Sequence, residues 1–150
     1  LRSSLIGILL ATHVLLMSVL GIPSGRIADR LSRKFLVVCG CLITSFFLVA
    51  VPLGQNFGLL LALIVLGSLG SAIADPAGSA LAVEEGRKYG MGLSMALFSM
   101  ALSIGMVVGP IAGGAIADLA GINSAFYFGS VMTLLGTGLF TWFTRSQYVP

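Results

Sequence analysis

Apolar residues run through this chain in long, nearly unbroken blocks, and polar residues are confined to short gaps between them. Blocks can be marked at roughly 3–24, 35–54, 57–82, 91–117 and 124–143. Each holds about the 20 predominantly apolar residues that a helix needs to cross the hydrocarbon core of a bilayer. The blocks are continuous rather than alternating, so they predict helices and not the strands of a membrane barrel. A helix also pairs its own backbone groups, which lipid cannot do for it. The expected fold is all-α: a polytopic membrane protein, with residues 1–150 forming a single transmembrane domain of about five helices.

Composition agrees. Hydrophobic residues make up 57% of the chain and charged residues 9%, against about 25% charged in a soluble domain. A soluble domain of this size buries only about two-thirds of its surface, too little to hide so many apolar side chains. The first block does not read as a signal peptide. Only Arg2 precedes it, and no small-residue cleavage site appears before Gly21. The chain starts at Leu1, which predicts a piece of a longer protein. The net charge of +3 does not point to nucleic acid, because the basic residues sit in gaps between spans, beside headgroups and cytosol. Cys39 and Cys41 point in different directions on a helix and have no His or further Cys nearby. They predict small buried hydrophobes and no metal site. No cofactor is expected.

The gaps also set an orientation. Arg26, Arg30, Arg33, Lys34, Arg87, Lys88 and Arg145 fall on one side if the helices alternate, and Arg2 on the other. Positive residues mark the cytoplasmic face, so the C-terminus is expected in the cytoplasm and Leu1 outside. An odd number of spans predicts a further helix before Leu1. The expected home is a bacterial or archaeal cytoplasmic membrane, with lipid as a partner.

Within the blocks several residues ask for a role. His13 lies near the centre of the first, where an ionisable group is costly and a functional candidate by default. Imidazoles exchange protons near neutral pH. Two readings fit: a proton or substrate site, or a neutral ring hydrogen-bonded to a neighbouring helix. Asp75 precedes Pro76 within the third block, about 13 Å before Glu84. It is either the cap of a broken or kinked helix or a proton or cation site. Gly70, Ala74 and Gly78 make a small-residue stripe for close helix packing. Gly105, Gly109, Gly113 and Ala117 make another, joined by Pro110 and Gly114. Pro110 weakens its helix, and a smooth bent face suits either static packing or a helix that rocks against a neighbour. Asn123 or Ser124 can cap the last helix. Tyr127 and Trp142 fit interfacial anchors.

The densest polar stretch is Gly25-Arg26-Ile27-Ala28-Asp29-Arg30-Leu31-Ser32-Arg33-Lys34. It resembles the cytoplasmic loop signature of the major facilitator superfamily. Gly105 to Gly114 resembles the Gly-Pro motif of that family's drug-efflux members. The separation of the two motifs fits as well, and the resemblance covers essentially the whole chain. The third block lacks the Arg that drug-efflux members carry in the matching helix of their N-terminal half, and Ser32 stands where the loop signature has Gly. The resemblance therefore implies the C-terminal half without its first helix, with the N-terminal half as its missing partner.

It also implies a fragment of a secondary active transporter. Such a protein exports small organic or drug-like solutes by rocker-switch alternating access, with a proton as the possible coupling ion. Asp29 would be the acid of a conformational latch, with Gly25 allowing close approach and Arg26, Arg30, Arg33 and Lys34 around it. Gly105, Gly109, Pro110, Gly113 and Gly114 would form the hinge and sliding surface. A sensor or scaffold on the same fold is the alternative. An enzyme is not expected: His13, Asp75 and Asp118 are the only catalytic candidates, and the predicted topology puts Asp75 and Asp118 toward opposite faces.

Overall fold

The computed structural model describes residues 3–28, 32–54 and 56–145. The described chain is helical throughout: α1 Ser3–Ala28, α2 Arg33–Ala50, a 3-10 turn Val51–Leu53, α3 Phe57–Tyr89, α4 Met91–Ala120 and α5 Ile122–Arg145. Among the described residues, four helical stretches are long and apolar enough to cross a membrane: Arg33–Leu53, Phe57–Lys88, Met91–Ala120 and Ile122–Thr144. The apolar stretch of α1, Gly7–Gly21, is shorter.

The helices overrun the apolar blocks at their charged ends. Arg33 and Lys34 form the first turn of α2, and Glu84, Glu85, Arg87 and Lys88 stay helical in α3. A helix can carry its ends into the interface, where water satisfies the charges, and Arg87 and Lys88 suit the negative end of the α3 dipole. Gly90 and Gly121 make the tight junctions on either side of α4 with φ of 112° and 87°. That region is strained for residues bearing a Cβ.

Two sequence expectations need correction. α3 is not broken at Asp75–Pro76 but runs continuously through Pro76, so Asp75 caps nothing. The Ser79 hydroxyl donates to the carbonyls of Asp75 and Pro76 at 3.1 and 3.0 Å. Packing of other helices along α3 holds it together where the Pro removes a donor. Neither Asn123 nor Ser124 caps α5, which already begins at Ile122. The Ser124 hydroxyl instead donates back to the Ala120 carbonyl at 2.8 Å.

α3 is the central helix, packed against α1, α2 and α4, while α5 joins α2 to α4. Small residues let α2 and α3 approach closely. A Cβ on Gly40 would lie 2.6 Å from the Gly70 carbonyl oxygen and 2.8 Å from the Ala74 Cβ. Gly67 abuts the Phe47 ring. Of the predicted stripe, Gly70 and Ala74 make this contact, whereas a Cβ on Gly78 would meet open space. Leu36 and Ala77 form a small buried core with Val37 and Ile73 against it.

The outside of the bundle is apolar, as a lipid-facing surface must be. Val14, Phe46, Met106, Ile111 and Leu119 all lie exposed. Hydroxyls inside the apolar zone find partners within the chain: Thr12, Ser18, Thr44 and Ser103 each donate to the carbonyl four residues earlier. That is the ordinary way a membrane helix satisfies such a donor. Among the described residues, no buried side-chain nitrogen or oxygen lacks a partner.

Candidate functional site

The seam between α1 and α3 holds His13 and its polar partner. Gly67 and Gly70 bring α2 close to one side of α3, while α1 packs along it as well. Ser68, between these glycines, is completely buried. His13 of α1 reaches it: the imidazole Nδ1 lies 2.8 Å from Ser68 Oγ. Ser68 Oγ in turn donates to the Ile64 carbonyl at 2.7 Å. The histidine therefore has the neighbouring-helix partner that one of the two sequence readings required. Asp75 lies seven residues after Ser68, about 10 Å along the helix and close to the same face. The structure thus joins His13 and Ser68 at one helix–helix contact, with Asp75 exposed further along α3. Ser68 was invisible in the sequence as a functional residue. Its signal was the seven-residue spacing to Asp75, legible only once the face of α3 toward α1 is known.

The charged end of the bundle forms a second cluster. Arg33 Nη1 lies 3.3 Å from Glu84 Oε2 and also donates to the Ala80 carbonyl at 3.3 Å. These residues, with Val83 and Arg87, line an open cavity of about 440 Å³. Lys88 pairs with Glu85 at 3.1 Å. The sequence placed Arg33 among the loop residues and used Glu84 only as a depth marker. The fold makes them partners, because the start of α2 and the end of α3 share one end of the bundle. Asp29 and Arg30 lie outside the described residues. Gly25 and Arg26 fall in the last turns of α1.

The third feature is the small-residue face of α4. Gly105, Gly109, Gly113 and Gly114 each have open space where a Cβ would point. Pro110 sits within the continuous helix, and no residue of α4 is buried. Among the described residues, no helix makes the close approach at these glycines that the spacing predicts.

Comparison with known proteins follows the same lines. The family model described as Major Facilitator Superfamily matches residues 1–150. An uncharacterized MFS-type transporter of Methanocaldococcus jannaschii is 28% identical over 132 residues, 88% of this chain and 34% of that protein. Multidrug resistance protein 2 of Bacillus subtilis is 30% identical over 135 residues, 90% of this chain and 34% of its own length. Quinolone resistance protein NorA of Staphylococcus aureus is 24% identical over 135 residues, again 90% and 34%. The chain therefore spans about a third of the length of these relatives. No solved structure matches it.

Proposed function

The chain belongs to the major facilitator superfamily, and on that premise we propose that it forms part of a secondary active transporter that exports small organic, drug-like solutes. The drug-resistance names of its relatives supply the substrate class. The observation that carries the reading is the face of α4. Four glycines and Pro110 form a smooth apolar surface, and none of the described residues comes within 4 Å of where a Cβ on any of those glycines would lie. In lipid, such faces are made for close helix contact. A second helical half seated there would meet this one across a surface able to slide, and substrate would bind near the midplane between the halves. Rocker-switch alternating access follows from that arrangement. The 150-residue chain is then the C-terminal half without its first helix, and its C-terminus faces the cytoplasm.

The charged end fits the latch of such a device. Asp29 would engage the positive end of a helix across the two halves, while Arg33, braced by Glu84, holds the start of α2 against α3. His13 and Asp75 are the proton-handling candidates.

Transport by the full-length parent in proteoliposomes tests the reading. Drug efflux driven by an imposed gradient is expected, and the 150-residue chain alone is expected to give none. A parent that moves no organic solute under any gradient overturns it. Asp29→Asn in the parent is expected to cut flux several-fold while insertion stays normal, and unchanged flux would remove Asp29 from the mechanism.

A further inference from the structure

We propose that Ser68 is a positioning residue that fixes the tautomer of His13, so that Nδ1 carries the hydrogen and Nε2 is the atom that takes up a proton. The inference deepens the proton-handling role assigned above to His13, and it is testable apart from transport.

A serine hydroxyl has one proton to give and can accept through its oxygen. Ser68 Oγ gives its proton to the Ile64 carbonyl at 2.7 Å. It can then meet His13 Nδ1 at 2.8 Å only as acceptor, so Nδ1 must be the donor. A neutral imidazole with hydrogen on Nδ1 has its lone pair on Nε2. Ser68 is fully buried, so water does not compete for the arrangement. The ring itself is only half-buried, so it is not sealed from the seam.

This arrangement has a consequence for proton uptake. When Nε2 gains a proton, Nδ1 keeps its own, and the bond to Ser68 survives unchanged in the imidazolium. With the opposite tautomer, Ser68 would have to donate to Nδ1. Protonation would then break that bond and force the hydroxyl to rotate. The inferred tautomer lets a proton be loaded and released without rearranging the helix contact. Asp75 lies on nearly the same face of α3, about 10 Å further along the helix. The other charged residues described on α3 lie further on, at Glu84, Glu85, Arg87 and Lys88.

The chain contains a single histidine, so one ¹⁵N-histidine-labelled sample in lipid bilayers gives one pair of ring-nitrogen resonances. At alkaline pH, magic-angle-spinning NMR is expected to show hydrogen on Nδ1 and a bare Nε2. On acidification only Nε2 should change, by gaining a proton. In Ser68→Ala the ring is expected to revert to the Nε2–H form or to a mixture, while Ser68→Thr, which keeps the hydroxyl, restores the native pattern. Hydrogen on Nε2 in the unsubstituted chain overturns the proposal without any variant. A tautomer that Ser68→Ala leaves untouched in a folded chain also overturns it. A pH-independent parent transporter whose His13 still carries hydrogen on Nδ1 would defeat the coupling role and leave the positioning role of Ser68 standing.

Discussion

At the scale of single residues, this protein is governed by how closely backbones approach. Gly40 and Gly70 face each other where α2 crosses α3, and a side chain at either would run into main-chain atoms that cannot swing aside. Overpacking of this kind costs about 1–3 kcal/mol. Gly40→Leu is therefore expected to lower the melting temperature of the detergent-solubilised chain markedly. Gly78→Ala meets open space and is expected to be neutral, or stabilising by the roughly 0.5–1 kcal/mol by which alanine exceeds glycine within a helix. Equal effects of the two substitutions would show that the crossing is not the tight point. Ser45 and Ser130 form the other buried contact, with hydroxyls 2.6 Å apart and Ser130 Oγ donating to the Ser45 carbonyl at 3.1 Å. Each hydroxyl also reaches the other residue's carbonyl, at 3.3 and 3.1 Å, so removing one leaves the other an acceptor and costs only the hydroxyl–hydroxyl contact, about 0.5–1.5 kcal/mol, which the second removal cannot cost again. A double-mutant cycle should thus find Ser45→Ala with Ser130→Ala less costly than the sum of the single changes, and strict additivity would refute the pairing.

At the scale of helices, much was legible before any coordinates. Unbroken apolar blocks announced each element, because in lipid an apolar run long enough to span has no alternative to helix. The boundaries were less legible at charged ends, since Glu84 to Lys88 break the apolar run but not the helix. Proline was misleading for a related reason. Pro76 reads as a break by local chemistry, yet packing along α3 overrides it. Nor do serines announce their partners: His13 with Ser68, and Ser45 with Ser130, are contacts between distant helices. The glycine face of α4 was legible as a packing surface, but its partner was not. Substitution can separate packing within the chain from packing beyond it. Gly109→Ala is expected to leave the thermal stability of the chain unchanged or slightly raised, because nothing among the described residues lies within 4 Å of the added Cβ. In the full-length parent the same substitution is expected to reduce transport at least several-fold. A loss of stability in the chain alone would mean that α4 packs internally after all.

At the scale of the whole molecule, the charged end couples the elements into one body. Arg33 opens α2, Glu84 lies in the last two turns of α3, and their contact at 3.3 Å ties the start of one to the end of the other. With side chains 35% and 54% exposed, the pair is solvated, and pairs of this kind contribute at most about 1 kcal/mol. Its value to the fold is therefore small, and any larger role must concern the relative position of helices during transport. The two roles predict different outcomes. Glu84→Gln is expected to leave the melting temperature of the chain nearly unchanged and to slow transport by the parent. Arg33→Glu alone is expected to slow it further, because it places two carboxylates together. Combining Arg33→Glu with Glu84→Arg restores opposite charges in the same place and is expected to recover much of the flux. Recovery would require that the geometry of the pair, and not the count of positive charges at that face, is what transport uses. If the double reversal stays as slow as Arg33→Glu, the positive charge itself is what matters, and the contact is a by-product of topology.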